Sequence, residues 1–142
     1  MLKIGALFGM AARLAWFACA GLAASTASAG PWNPMTRYPR ELRGAWMLGH
    51  HPGCRAADVP RNASDLVIKT DHIRALESRH ELVSLRKMAR RFWQAAERVS
   101  RDHAPATLLD VSITLSRDGR TLTRSYNLSN GLIDEEQFTR CR

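Results

Sequence analysis

Strict alternation of apolar and polar side chains marks the clearest element of this chain. Between residues 108 and 116, every second residue is apolar and the residues between them are polar. The apolar set is Leu109, Val111, Ile113 and Leu115. A period of two is typical of a strand with one buried face, so we predict a half-buried strand here.

An Asp-Gly pair follows this strand and predicts a β-hairpin. Asp118 and Gly119 suit the left-handed dihedrals of a type I′ turn, and a second run with apolar positions begins at Leu122. A two-residue turn places four pairs opposite each other: Leu115 and Leu122, Ile113 and Arg124, Val111 and Tyr126, and Leu109 and Leu128. It also brings Arg117 beside Arg120. Because like charges repel, a longer loop remains an alternative to the two-residue turn.

Residues 82–100 fit two interpretations. Their apolar side chains recur at spacings of three and one, which is typical of an amphipathic helix. These side chains are Leu82, Leu85, Met88, Ala89, Phe92, Ala95, Ala96 and Val99. Against a helix, Val83 and Leu85 alternate with polar residues, as they would in a strand. Periodicity alone favours the helix.

Residues 1–29 predict a secretory signal peptide. Lys3 and Arg13 supply positive charge, residues 14–24 are apolar, and Ala-Ser-Ala before Gly30 is the pattern that signal peptidase cuts. We therefore expect a periplasmic or secreted protein that does not span a membrane after cleavage.

Two alternatives to a cleaved signal peptide stay open. A lipoprotein signal would anchor Cys19, although the residues before it do not resemble a lipobox. The other alternative is an uncleaved anchor. For the signal peptide itself, a start at Met10 would turn Arg13 from a cation within an apolar stretch into part of a basic start.

The rest of the chain predicts a leader and one small domain. Residues 30–40 contain three prolines, which suit neither a helix nor a central strand, so we predict a leader there and a single domain over 41–142. Within the domain, residues 42–48 predict a first strand in which Gly44 is a bulge or a close backbone approach. Residues 66–69 and 73–77 predict two short strands.

Composition and charge exclude several classes of protein. At 142 residues with 45% hydrophobic and 24% charged side chains, the chain is neither disordered nor divided into several domains. Its body has no 18-residue apolar run, so a polytopic membrane protein is excluded. Loss of Lys3 and Arg13 with the signal would lower the net charge from +8 to +6. The cations are scattered and not arranged in a stripe, so we expect no nucleic-acid partner.

Two cysteines, Cys54 and Cys141, follow the predicted signal. An even number in an oxidising compartment predicts one disulfide. The bridge would close a ring of about 88 residues, for which chain entropy predicts a stabilisation of about 4–5 kcal/mol. Two free thiols or two metal ligands are the alternatives.

Short motifs resemble small exported bacterial proteins of uncharacterised function. The matching residues are Gly44-Ala-Trp46, Cys54, Leu66-Val-Ile68, Ile73, Glu77-Ser78, Asp118-Gly119, Leu122-Thr-Arg124 and Arg140-Cys141. The resemblance implies an all-β fold, an antiparallel meander that forms a small partial barrel or sheet. It also implies strands over residues 82–100, whereas a helix there would make the fold α+β.

The Gly-x-Trp strand is also similar to the first strand of lipocalins and of periplasmic inhibitors of secreted metalloproteases. This resemblance implies that Trp46 plugs one end of a barrel beneath a cation from a late strand, with Arg140 or Arg124 as candidates. Alternatively, Trp46 is an ordinary core residue. Because only 113 residues follow the signal, we expect a packed interior and not a roomy pocket.

No motif predicts an enzyme, a cofactor or a bound metal. His50, His51 and Cys54 could in principle hold a metal, but adjacent histidines on an extended chain point apart and a disulfide would remove the thiolate. No Gly-x-Ser-x-Gly elbow occurs. Glu77 is a candidate for a buried carboxylate that pairs with an arginine or contacts a ligand, and plain exposure is the alternative.

We therefore expect a non-enzymatic exported protein that binds a small apolar ligand or an envelope partner. The alternative function is a protease inhibitor that presents residues 30–40 to an exported protease. A hydrolase is the third and least favoured function.

Overall fold

The computed structural model describes residues 34–127 and 131–142. In these residues eight strands follow one another: β1 (Gly44–Leu48), β2 (Leu66–Ile68), β3 (His72–Arg74), β4 (Ser78–Ala89), β5 (Phe92–Arg101), β6 (Ala104–Leu115), β7 (Thr121–Asn127) and β8 (Ile133–Arg140). A short 3-10 turn, Ala56–Asp58, lies between β1 and β2.

The strands form a closed antiparallel barrel. Each strand pairs with the next, and β1 also pairs with β8, with Trp46 opposite Arg140. The all-β meander predicted from the sequence is confirmed, and the sheet closes on itself. No helix in the described part of the chain is long and apolar enough to cross a membrane.

Residues 82–100 form strands, and two irregularities explain why they imitate a helix. The register between β4 and β5 shifts between Leu82 and Ser84 and again between Lys87 and Ala89. Because a bulge adds one residue to a strand, Leu82 and Leu85 both contribute to the core in spite of their odd spacing. The helical prediction from periodicity is therefore wrong.

The hairpin of β6 and β7 has the predicted register but a different turn. Leu115 lies opposite Leu122 and the next two predicted pairs also form, while Leu128 lies outside the described residues. A type I′ turn needs a positive φ at both central residues. Gly119 has a φ of 72°, but Asp118 is not left-handed, so the prediction of a type I′ turn is wrong. The Asp118 carboxylate instead accepts hydrogen bonds from the Ser116 hydroxyl and the Arg120 amide.

Apolar side chains fill the half of the barrel that contains Trp46. Trp46 is completely buried, and its indole nitrogen donates to the Leu42 carbonyl at 2.9 Å. The main core contains Tyr38, Leu42, Trp46, Leu66, Ile68, Ile73, Ala75, Leu85, Trp93, Ala95, Val111, Ile113, Leu115, Leu122 and Phe138.

A second, smaller core covers the outer side of β1 and β2 and contains the disulfide. The Cys54–Cys141 bond predicted from the sequence is confirmed. Its sulfurs are next to the apolar side chains of Ala45, Met47, Val59 and Val67. The bond therefore ties the loop after β1 to the residue that follows β8.

The described part of the predicted leader, residues 34–40, is attached to the barrel. The main chains of Met35 and Leu85 exchange two hydrogen bonds of 2.8 Å, and the Tyr38 amide donates to the Thr70 carbonyl. Tyr38 is completely buried. The compact fold therefore begins before residue 41. The prolines exclude a regular strand here, but they do not prevent Tyr38 from adding its side chain to the core.

The walls of the barrel differ in height. β4, β5 and β6 contain 12, 10 and 12 residues, whereas β1, β2 and β3 contain 5, 3 and 3. At about 3.3 Å per residue, the long strands extend well beyond the short ones. They leave an opening at the end opposite Trp46, which we call the mouth.

Candidate functional site

The mouth of the barrel contains a cavity of about 610 Å³. Its lining combines apolar and polar side chains: Ala63, Ser64, Leu66, Ala75, Ser78, His80, Val99, Arg101, Thr107, Leu108, Leu109, Arg124, Tyr126, Asn127 and Glu136. The packed interior expected from the chain length is therefore found only in the half that contains Trp46. The cavity exists because β4, β5 and β6 extend beyond the shorter strands, a difference in length that the sequence did not predict.

A buried ion pair lies where the cavity meets the core. Arg124 on β7 donates from Nη2 to Oε2 of Glu97 on β5 at 2.5 Å. The exposed fractions of these two residues are 2% and 0%. Removing two charges from water costs several kcal/mol per ion, and the pair is tolerated only when further hydrogen bonds satisfy it.

Two other side chains supply these hydrogen bonds to Glu97. The Tyr38 hydroxyl donates to Oε1 at 2.8 Å, and Nδ1 of His80 lies 3.0 Å from Oε2. On its other side, Nε2 of His80 lies 3.1 Å from the Ser78 hydroxyl. The leader segment, β4, β5 and β7 thus converge on one carboxylate.

Strand alternation explains why these groups face inward. On β5, Glu97 has the same parity as the buried residues Trp93, Ala95 and Val99. On β7, Arg124 has the same parity as buried Leu122. Because successive side chains of a strand point to opposite faces, both charges must enter the barrel.

The surroundings keep both groups ionised. Burial alone would raise the pKa of Glu97, but the Arg124 charge and the hydrogen bonds from His80 and Tyr38 outweigh it and lower the pKa to about 2. Burial would lower the pKa of Arg124, yet the nearby Glu97 charge raises it. Burial, with the neighbouring Glu97 charge, raises the pKa of Tyr38, so its hydroxyl stays a donor.

One donor of this network lacks an acceptor. Among the described residues, Nε of Arg124 is a buried side-chain nitrogen with no hydrogen-bond partner. Leaving a buried donor unsatisfied costs about 1–3 kcal/mol, and more for a charged group. A guest atom that accepts a hydrogen bond from the guanidinium would recover part of that cost.

A second polar pair lies nearer the rim. Burial raises the pKa of Tyr126, and a hydrogen bond with Glu136 raises it further. Glu136 lies opposite Arg124 in the β7–β8 register. Glu97 pairs with Arg124 across the barrel and Glu136 lies on the neighbouring strand, so two carboxylates accompany the two guanidiniums, Arg124 and Arg101, of the mouth.

The structure places the predicted site residues in three different regions. Arg140, not Arg124, is the cation over Trp46, with its guanidinium carbon 4.3 Å from the ring centroid. Gly44 lies beside it: its φ is 135°, and a Cβ built there would lie 3.7 Å from Nη1 of Arg140. Arg124 lies in the mouth network, and Cys54 forms the disulfide.

Glu77 is exposed, so the alternative of a buried carboxylate at this position is wrong. Leu76 and Glu77 form the tip of the turn between β3 and β4, which the hydrogen bond from the Ala75 amide to the Ser78 carbonyl closes. Both tip residues are exposed. The buried carboxylate is that of Glu97, and the sequence signal that marks it is its place in the alternation from Trp93 to Val99.

The histidine-cysteine loop offers little for metal binding. The disulfide engages Cys54, and the described residues contain no group of three or more side chains placed to hold a metal ion. His50 and His51 are exposed.

The barrel and its site were compared with known proteins in three ways. Neither a family model, nor a curated protein, nor a solved structure matches this chain.

Proposed function

We propose that this protein is an exported, non-enzymatic binding module that holds a small, mainly apolar molecule in the mouth cavity. The observation that carries the proposal is a cavity of about 610 Å³ above a buried arginine with an unsatisfied donor. Pockets of this kind, mainly apolar with a few polar groups that fix orientation, are typical of small-ligand sites. The Ala-Ser-Ala pattern before Gly30 and the disulfide support export.

The walls favour an apolar body for the ligand. Leu66, Ala75, Val99 and Leu109 line the cavity. Leu108 lines it too and is 66% exposed. Burying apolar area contributes about 25 cal/mol per Å² of favourable free energy. A ligand with an alkyl chain or a ring system that covers these side chains would therefore bind more tightly than a small polar one.

The charges favour a neutral acceptor as the polar group of the ligand. Glu97 already neutralises Arg124, and Glu136 adds a second carboxylate to the lining. Arg101 also lines the cavity, so two guanidiniums and two carboxylates leave no net charge to attract an anionic head group. An anion would therefore lose its hydration without a net attraction, whereas an ester or ketone oxygen accepts a hydrogen bond at a smaller desolvation cost, so we expect uncharged carbonyl compounds to bind better than carboxylates.

Binding of a neutral fluorescent probe tests the proposal. N-phenyl-1-naphthylamine should bind the purified protein with one site per chain and be displaced by methyl decanoate. An alkane of equal length should compete about threefold to tenfold more weakly, because it lacks the acceptor. Equal competition by the alkane would contradict the role of Arg124.

A matched pair of substitutions locates the site. Val99→Trp fills the cavity and should abolish probe binding, whereas Val83→Trp, on a residue that is 43% exposed, should leave it unchanged. Leu109→Trp serves as a second filling variant if Val99→Trp does not fold, as judged by circular dichroism. Undiminished probe binding in a folded filling variant would refute the proposal.

The alternative of a protease inhibitor is less favoured by the contacts of residues 34–40. Met35 and Tyr38 are bonded to the barrel, so presenting this segment to a protease cleft would require breaking those bonds and exposing Tyr38. Deleting residues 30–40 would remove inhibition if this alternative were correct. The same deletion would also remove one partner of Glu97, so its stability must be measured alongside.

A further inference from the structure

The end of the barrel that contains Trp46 carries a second cavity, of about 540 Å³, with a basic lining. It lies between the β4–β5 turn and the β6–β7 turn, far along the strands from the mouth. Its lining consists of Glu41, Lys87, Arg90, Arg91, Leu115, Arg117, Asp118, Gly119 and Arg140. Five cations face two carboxylates, so three positive charges are in excess.

None of these cations pairs with a carboxylate within the described residues. No nitrogen of Lys87, Arg90 or Arg117 in the described structure lies within 4.0 Å of a carboxylate oxygen. Other arginines of the surface are unpaired too, but here the unpaired cations line one cavity together.

The two carboxylates of the lining do little to neutralise this charge. Asp118 accepts from the Ser116 hydroxyl and the Arg120 amide, contacts that hold it in the turn. Glu41 contributes its main-chain carbonyl to the guanidinium of Arg140. Neither carboxylate forms an ion pair with a cation of this cavity in the part of the chain that the structure describes.

Main-chain contacts hold the two turns at a fixed distance. Nη1 of Arg91 donates to the Ser116 carbonyl at 2.6 Å, and the Leu115 amide donates to the Arg91 carbonyl at 3.0 Å. Nε of Arg140 donates to the Gly119 carbonyl at 2.9 Å. The positions from which the cations project are therefore fixed, and a guest would have to order only the exposed side chains of Lys87, Arg90 and Arg117.

We propose that this cavity binds a phosphate group. Phosphate carries up to two negative charges and several acceptor oxygens, which guanidinium and ammonium groups bind through charge-assisted hydrogen bonds. A single carboxylate would neutralise only part of the threefold excess. Lys87, Arg90 and Arg117 are the exposed and unpaired cations, so we assign them as the main phosphate contacts, independently of any ligand in the mouth.

Titration of the full chain with inorganic phosphate, and separately with glycerol 3-phosphate, tests the site. Calorimetry at low ionic strength should show one site per chain, weakening as salt is added because exposed charges are screened. Vesicles of phosphatidylglycerol and of phosphatidylcholine form a second arm. Binding of the soluble phosphates identifies a free phosphate compound, and binding only of phosphatidylglycerol vesicles identifies a lipid head group as the source.

A pair of triple variants distinguishes a site from net charge. Lys87→Gln, Arg90→Gln and Arg117→Gln together should weaken binding at least tenfold. Lys69→Gln, Arg74→Gln and Arg98→Gln remove the same charge from exposed positions outside the cavity and should change binding less than twofold. Equal losses in both variants, or no binding of any phosphate-bearing probe, would overturn the proposal.

Discussion

At the mouth, Arg124 lies inside the barrel against the carboxylate of Glu97, whereas at the other end Arg140 lies on the Trp46 ring and donates to main-chain carbonyls. The first guanidinium depends on an opposite charge. The Arg140 guanidinium depends on the face of the Trp46 ring and on main-chain carbonyl oxygens, whose hydrogen bonds water could replace. The comparison teaches that one barrel can hold a fully buried and a half-buried guanidinium by two mechanisms, and that losing the partner costs more at the buried one.

The difference also bears on what each end can bind. The mouth is nearly neutral because Glu97 and Glu136 balance Arg124 and Arg101, and apolar side chains form part of its walls. The Trp46 end has unpaired cations around a basic cavity. A neutral apolar guest and an anionic guest would therefore prefer opposite ends.

Loss of the disulfide should give the largest effect, and it should affect both ends alike. Replacing Cys54 and Cys141 by Ala opens a ring with a sequence separation of 87 residues. The chain-entropy model predicts that this lowers the free energy of unfolding by about 4–5 kcal/mol. Urea unfolding measures the loss. A change below about 1 kcal/mol would show that the non-covalent pairing of β1 with β8 suffices.

Arg124→Met should be the most damaging single change at the mouth. It leaves the Glu97 carboxylate buried without its counter-charge, which costs about 3–5 kcal/mol. The free energy of unfolding in urea measures it. A loss below about 1 kcal/mol would show that His80 and Tyr38 alone can hold the charge.

Adding Glu97→Gln to Arg124→Met should restore part of this loss. The double variant carries no buried charge at this position, and the amide oxygen can still accept from the Tyr38 hydroxyl. We expect it to be more stable than the single variant by about 1–3 kcal/mol, because the uncompensated charge is gone. A double variant less stable than the single one would contradict this account.

Acid should destabilise the mouth network. The Glu97 pKa is about 2 in the folded protein and 4.5 as an ordinary carboxyl. Because the folded pKa is depressed, its contribution is fully present above pH 4.5 and is lost as the pH falls from 4.5 towards 2. The contribution is about 3 kcal/mol. Unfolding measured from pH 7 to pH 2.5 should fall more steeply for the native chain than for the double variant; parallel curves would contradict the prediction.

Tyr38→Phe should cost less, since it removes one hydrogen bond to the carboxylate and leaves the ring in place. A hydrogen bond to a charged group contributes about 1.5–3 kcal/mol, and we expect a loss in this range. Tyr126→Phe is the matched control at the more exposed rim and should cost under about 1 kcal/mol. Equal losses would mean that Tyr38 acts through packing elsewhere and not through Glu97.

Local signals in the sequence predict the β6–β7 hairpin because an alternating strand and an Asp-Gly turn lie next to each other. The register follows from Leu115 and Leu122 needing the same side of the sheet. The helix-like pattern of 82–100 misleads for an equally local reason. A bulge between Leu82 and Ser84 places two apolar residues three apart on the same side.

The mouth network was missed because its pairing is non-local. Glu97 and Arg124 are 27 residues apart, and Tyr38 is 59 residues from Glu97. The alternation from Trp93 to Val99 places Glu97 on the apolar side of its strand, but no local signal identifies the arginine or the tyrosine that contacts it. By contrast, Trp46 and the two cysteines were identifiable because their residue types alone favour burial or bonding.

Arg140→Met provides the sharpest comparison, because it is the same substitution as Arg124→Met at the opposite end. The variant keeps an apolar side chain over Trp46 and removes the cation–π contact, which contributes about 0.5–2 kcal/mol. The carbonyls of Arg43 and Gly119 lose their donor, but water can replace it because Arg140 is only half-buried. No carboxylate is left buried and unpaired, so we expect a loss below that of Arg124→Met. Urea unfolding of the two variants side by side measures the difference. If Arg140→Met costs as much or more, then main-chain oxygens and an indole face hold a half-buried guanidinium as firmly as a carboxylate holds a buried one, and the contrast between the two ends fails.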